Sequence, residues 1–244
     1  MLLFERGADV LTYPTPEDIF LLRPYLPMQS TVILYGQPTL GKTPIGWAMA
    51  HAVQTGGCLF GIKAQRGNAL VCEFDMPIVL VKDRWQKAGF VPSFSVMFET
   101  LGCDTTQLLS AHGDIRHRDM TQILAAYNAE YLPRLIVIDA LREVVRGDIN
   151  TPGVADRIYG CWHALFPEAT IVFIHHESKD KDPFAPTDPL QKATGNMEFV
   201  NIAQVGMRLA RTKKGVYLSV TKTQASMIPE PRAITIAEDG VTIK

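Results

Sequence analysis

The first residues in the chain whose types and spacing could perform chemistry lie at positions 36–43. This run, GQPTLGKT, fits the spacing G-x-x-x-x-G-K-[ST] at every fixed position. Its glycines let the backbone turn tightly and direct N–H groups inward, toward an anion. Lys42 can then reach the outer phosphates of a nucleoside triphosphate, and the Thr43 hydroxyl can bind Mg²⁺. We therefore predict that the run binds a nucleoside triphosphate with Mg²⁺. The predicted nucleotide contacts are Gly36, Gln37, Pro38, Thr39, Leu40, Gly41, Lys42, Thr43 and Pro44.

A strand and a helix are predicted on either side of this run. Residues 31–35 are apolar and β-branched, which is typical of a strand. The residues after Thr43 have helical periodicity, and Gly56 is the predicted stop. Pro44 falls in the first helical turn, where its missing N–H leaves no gap. The N-terminus of the helix therefore points at the phosphates, as anion binding requires.

Carboxylates follow two further predicted strands. Residues 69–75 begin apolar and end acidic, and alternation places Glu73 and Asp75 on the same side. Residues 135–138 form a continuous apolar run that ends in Asp139, the form of a Walker B element. We expect Asp139 to hold Mg²⁺ together with Thr43.

A pair of histidines follows the next apolar strand, residues 170–174. Ligands of a parallel sheet bind at the carboxyl ends of its strands. Lys42, Asp75, Asp139 and His176 all fall at such ends. This convergence predicts one shared site.

The composition narrows the class of protein. The chain has 244 residues, 47% of them hydrophobic, and a formal net charge of -1. This length suits one α/β domain, and the charge argues against a broadly basic surface that coats nucleic acid. No apolar run is long enough to span a membrane, no signal-peptide pattern is visible, and the four cysteines lack metal-like spacing. A cytoplasmic location without a membrane partner is expected.

The order of elements predicts the domain organisation. Residues 1–30 are expected to form an irregular arm with a short helix near residues 16–22, and residues 31–244 a single domain. Strands alternate with helices through the first two-thirds of the chain, which predicts a parallel sheet. The end of the chain is β-rich. Two loops, residues 142–153 and 177–195, are predicted between these elements.

These motifs, in this order, resemble the RecA-type ATPases, and within them the plasmid RepA-like hexameric replicative DNA helicases, relatives of the DnaB-like helicases. The resemblance runs from about Tyr25 to the C-terminus. It rests on GQPTLGKT, ALVCEFDMP with Arg84 after it, RLIVIDALR, IVFIHHESK and SVTKTQ. It implies an α/β fold: a RecA-like P-loop NTPase core with a mainly parallel central sheet, flanking helices and a C-terminal antiparallel β extension.

The resemblance also implies catalytic roles. Asp75, followed by Met76 and Pro77, takes the place of a glutamate that polarises the attacking water, and Glu73 is the competing candidate. His176 aligns with the polar sensor of the γ-phosphate, with His175 as the weaker candidate.

The resemblance also implies a homo-oligomeric ring that acts on single-stranded DNA. The ring is hexameric in this family. Arg142 and Arg146 fall in the first nucleic-acid loop, and the second offers lysines to phosphates. A basic residue from the neighbouring subunit completes each ATP site in such rings. The candidates in the second loop are Lys179, Lys181 and Lys192. The candidates for the contact in trans are Arg208, Arg211 and Lys222. Ala203 stands where the RepA-like pattern has its arginine.

Two hypotheses remain open from the sequence. The first is an ATP-driven ring that unwinds DNA. The second is a RecA-like ATPase that serves recombination, loading or regulation without unwinding. A metabolic kinase is a weaker third option, because no lid-like basic segment is visible.

Overall fold

The computed structural model describes residues 19–98, 116–145, 148–177, 198–225, 227–237 and 243, with the backbone alone at residues 98 and 116–121. In chain order the strands are β1 (Phe20–Leu22), β2 (Leu26–Pro27), β3 (Thr31–Gly36), β4 (Cys58–Leu59), β5 (Ile62–Lys63), β6 (Ala69–Glu73), β7 (Ser95–Phe98), β8 (Leu135–Asp139), β9 (Thr170–His176), β10 (Val205–Thr212), β11 (Gly215–Thr223) and β12 (Arg232–Ile234). The helices are α1 (Lys42–Thr55), α2 (Ile78–Ala88), α3 (Arg116–Tyr131), α4 (Val154–Leu165) and α5 (Glu198–Ile202), with a 3-10 turn at Leu141–Val144.

An eight-stranded sheet in the order β12-β11-β10-β3-β9-β8-β6-β7 forms the centre of the protein. The six strands from β10 to β7 all run parallel to one another. β11 and β12 continue the sheet as antiparallel strands. The predicted α/β class, with a mainly parallel sheet, flanking helices and an antiparallel extension, is confirmed.

Alternating side chains of the inner strands pack in two hydrophobic cores, one on each face of the sheet. On one face, Val32 and Val137 pack with α1, which is buried on most sides. On the other face, Ile33 and Ile136 pack with α4 and its buried Trp162. Strands covered on both faces are continuously apolar, which is why 135–138 was recognisable from sequence.

The N-terminal arm differs from its prediction in the residues described. Phe20–Leu22 forms strand β1, not the end of a helix, and it pairs with β2. The backbone is extended at these residues, and all three β1 side chains are buried in the core. Residues 16–18 of the predicted helix lie outside the described residues.

The loop between α1 and β6 contains the small antiparallel hairpin β4–β5. In the part of the chain that the structure describes, no helix is long and apolar enough to cross a membrane.

Gly36→Ala tests the close approach of β10 to the end of β3. The added Cβ would lie 2.4 Å from the carbonyl oxygen of Leu209, so one strand must move. Overpacking of this kind costs about 1–3 kcal/mol, and we expect that loss in the free energy of unfolding measured in urea. Gly160→Ala in α4 is the matched control, because a Cβ there meets nothing within 4 Å and should add roughly 0.5–1 kcal/mol of stability. Unchanged stability of Gly36→Ala would contradict the observed strand spacing.

Candidate nucleotide-binding site

The loop at residues 36–41 connects the end of β3 to the start of α1, as predicted. Gly41 precedes α1 with a left-handed φ of 94°, a conformation that favours glycine. An ideal Cβ at Gly41 would lie 1.7 Å from Ile236 Cδ1, so the segment after β12 touches the loop. A side chain at either fixed glycine would therefore clash, with Leu209 at position 36 and with Ile236 at position 41.

Lys42 is buried at the first turn of α1. Its Nζ donates hydrogen bonds to the carbonyl oxygens of Gly36 and Gln37, each at 2.8 Å. Burial lowers the Lys42 pKa to about 8, against the opposing charges of Asp139, Glu177 and Asp75. The ammonium is thus held at the loop and is available to phosphate oxygens.

Thr43 and Asp139 meet beside Lys42, although they lie 96 residues apart in sequence. The Thr43 hydroxyl donates to Asp139 Oδ2 at 2.5 Å. Burial raises the Asp139 pKa to about 6, while the Thr43 hydrogen bond acts in the opposite direction. A hydroxyl and a carboxylate in contact are oxygen donors of the kind that Mg²⁺ prefers. Among the described residues, no group of three or more His, Cys, Asp or Glu side chains could hold a metal alone, so the phosphates and water would supply the other ligands.

A cavity of about 510 Å³ opens above the phosphate loop. Asp75 and His176 face each other across it, with Asp75 Oδ2 and His176 Nε2 separated by 3.8 Å. Burial lowers the His176 pKa, assisted by Lys42 and opposed by Asp75, so the imidazole is mostly neutral at pH 7. The cavity is lined by Pro38, Thr39, Gly41, Lys42, Thr43, Pro44, Asp75, Met76, Arg84, His176 and Ile236.

Glu73 occupies a different environment from Asp75. It is buried at the end of β6, where Trp47 Nε1 donates to Glu73 Oε2 at 3.2 Å. Burial, followed by the charge of Asp139, raises the Glu73 pKa to about 9, so this carboxyl group is protonated at pH 7. The strand ends at Glu73, so the predicted alternation does not reach Asp75, which has a side chain 43% exposed. Geometry favours Asp75 over Glu73 as the residue that meets water, and its catalytic role stays a prediction.

Two of the three residues predicted to act in trans have partners within their own chain. Arg208 binds Glu177 through Nε and Nη2, and Lys222 donates to the carbonyl oxygen of Asn201. Both cations are bound within their own subunit in this arrangement, and their roles in trans stay predictions. Arg211 is exposed near the end of β10.

The predicted nucleic-acid contacts are mostly beyond what the structure describes. Arg142 lies on the 3-10 turn and donates to the carbonyl of Val145 at 3.0 Å. His175, the weaker sensor candidate, is buried with its ring 6.2 Å from that of Phe199. The predicted loop residues outside the described ranges are Arg146, Lys179, Lys181 and Lys192.

Sequence reasoning assigned no role to Glu177, Trp47 or Ile236. Glu177 carried a local signal, because a charged residue directly after a buried strand must find a partner. Trp47 and Ile236 carried none, since their contacts depend on how distant parts of the chain pack.

A family model described as an AAA domain matches residues 5–182. The match covers more than half of the chain and includes the phosphate loop, Asp139 and His176. The chain belongs to the AAA domain family. An ATPase function and nucleotide binding follow for this AAA domain, and the predicted P-loop ATPase is confirmed. Among curated proteins, no significant match to the chain is found.

The pH dependence of ATP binding tests the environment of Lys42. Its ammonium is charged below a pKa of about 8 and loses that charge as the pH rises. We therefore expect ATP affinity to fall by up to about tenfold per pH unit above that value, measured by calorimetric titration. Lys42→Arg is the control, because a guanidinium stays charged throughout this range. The same pH profile in both proteins would show that Lys42 ionisation does not limit binding.

Proposed function

We propose that this AAA domain is a ring-forming motor that hydrolyses ATP while it acts on single-stranded DNA, as a replicative helicase does. The observation that carries the proposal is the position of His176 at the end of β9. Its ring faces Asp75 in the cavity, and the chain continues directly into residues 177–195, the segment that the sequence predicts as a nucleic-acid loop. Loss of the terminal phosphate on hydrolysis would therefore be passed to that segment through His176 at the end of β9.

The chain's own residues divide the work of hydrolysis. Lys42 and the loop N–H groups bind the phosphates and orient the terminal one. Asp75, open to the cavity, polarises the attacking water, and neutral His176 can hydrogen-bond a phosphate oxygen. Mg²⁺ held at Thr43 and Asp139 would neutralise charge on the phosphate oxygens.

Exposed apolar side chains beside the cavity are evidence that a neighbouring subunit binds there. Ile78, Val79 and Leu80 are 56%, 71% and 53% exposed, and only Pro77 separates them from the cavity residue Met76. Three consecutive exposed apolar residues at the rim of a site favour a protein contact there. Of the two arginines considered for the contact in trans, Arg211 is the exposed one.

Specific observations also favour the alternative, an ATPase that serves recombination, loading or regulation without unwinding. Ala203, which stands where the RepA-like pattern has its arginine, is fully buried, so no side chain from that position reaches a neighbour. The formal net charge is -1, which provides little general attraction for DNA.

The ATPase rate with and without single-stranded DNA, together with the solution mass, separates these functions. The motor requires an oligomer in ATP and Mg²⁺, faster hydrolysis with DNA and unwinding of a forked duplex. An oligomer that hydrolyses ATP without unwinding would support the alternative. Hydrolysis unchanged by any nucleic acid, from a monomer, would contradict the motor.

Asp75→Asn tests the predicted water-positioning carboxylate. The amide cannot accept a proton, so we expect turnover to fall by roughly 10²–10⁴ while ATP still binds. Glu73→Gln is the matched control, because it replaces a carboxyl group that is already neutral at pH 7 and can still accept the Trp47 hydrogen bond. Full turnover in Asp75→Asn with loss in Glu73→Gln would reverse the assignment.

A further inference from the structure

We infer that Arg208 and Glu177 form a positioning pair within one subunit, in which the arginine neutralises a carboxylate beside the phosphate loop and so keeps Lys42 available to the nucleotide. The inference rests on the ATP site of the proposed function and is independent of any action on DNA.

The pair is a buried, two-point ion pair. Arg208 Nε donates to Glu177 Oε1 at 2.5 Å, and Nη2 donates to Oε2 at 3.3 Å. The Glu177 side chain is 1% exposed and that of Arg208 13%. A carboxylate with both oxygens bound by a guanidinium and shielded from solvent is not a base for water. The properties of Glu177 that can act on the site are then its charge and its position.

The pair spans the strand that carries the phosphate loop. β3 lies between β9 and β10, with Gly36 opposite His176 on one side and Tyr35 opposite Arg208 on the other. Glu177 directly follows β9, so its contact with Arg208 on β10 joins the two strands that flank β3. The end of β3 is therefore fixed from both sides.

Glu177 and Lys42 share one acceptor. The Glu177 backbone N–H donates to the Gly36 carbonyl oxygen at 3.0 Å, and Lys42 Nζ donates to the same oxygen at 2.8 Å. The Glu177 charge acts on Lys42 and raises its pKa against the effect of burial. Without Arg208, an uncompensated buried carboxylate would compete with phosphate for this ammonium.

This arrangement predicts suppression of one substitution by another. Arg208→Ala should weaken ATP binding by about tenfold or more, and adding Glu177→Gln should restore it, because the competing charge is gone. A transition-state arginine would behave differently: its loss lowers kcat by about 10³ or more, leaves KM unchanged, and is not corrected at Glu177.

The experiment measures kcat, KM and ATP affinity for Arg208→Ala, for Arg208→Ala/Glu177→Gln and for Lys213→Ala, an exposed control in the turn after β10. A higher KM for ATP in the single variant and recovery in the double variant would support the positioning pair. A loss confined to kcat in both variants would overturn it. If Arg208→Ala does not fold, the double variant alone decides: a KM near the wild-type value supports the pair, and a kcat lower by about 10³ overturns it.

Mixing subunits distinguishes action within a subunit from action in trans. At an ATP concentration below the KM of Arg208→Ala, a mixture of Arg208→Ala and Lys42→Ala chains should hydrolyse ATP at the average of their separate rates, because each chain lacks part of its own site. Recovered hydrolysis would show that one chain's Arg208 completes the site of another, and the inference would be wrong. Absence of ATP binding by the wild-type chain would instead contradict the proposed function.

Discussion

The buried ammonium of Lys42 is the constraint on which the rest of the site depends. An ammonium removed from water needs acceptors, and the loop supplies two carbonyl oxygens, from Gly36 and Gln37. The charges of Asp139, Glu177 and Asp75 also act on it and raise its pKa against the effect of burial. Each of these carboxylates lies at or just beyond the end of a parallel strand. The sheet therefore sets the electrostatics of the lysine before any nucleotide arrives.

The strand order separates the two predicted Mg²⁺ ligands, because Thr43 follows β3 and Asp139 ends a strand that is not the neighbour of β3. Asp139 ends β8, which is separated from β3 by β9, yet the Thr43 hydroxyl touches it. α1 lies close enough to the sheet because Gly46 has no side chain. An ideal Cβ there would lie 2.9 Å from Val137 and 3.0 Å from Ile174. A small residue on a buried helix thus brings together the two predicted Mg²⁺ ligands.

Local patterns were sufficient to predict much of this arrangement. A few neighbouring residues are enough to identify each of the following elements: the phosphate loop, its strand and helix, and the buried strand before Asp139. The choice between Glu73 and Asp75 depended on where β6 ends, since alternation holds only inside a strand. Lys222 looked free in sequence because its acceptor, the Asn201 carbonyl, is created by the packing of α5 against the sheet. Arg208 looked free for a similar reason, as Glu177 approaches it only when β9 and β10 flank β3.

A crystal structure of the chain with a non-hydrolysable ATP analogue and Mg²⁺ tests the central claim most directly, namely that Lys42 is held at this loop to receive phosphate. The account predicts that Lys42 Nζ leaves the carbonyls of Gly36 and Gln37 for the outer phosphates. Thr43 and Asp139 should lie at the metal, and Arg208 should remain on Glu177. A nucleotide bound elsewhere, or a Lys42 that keeps both carbonyl contacts with the analogue present, would contradict it.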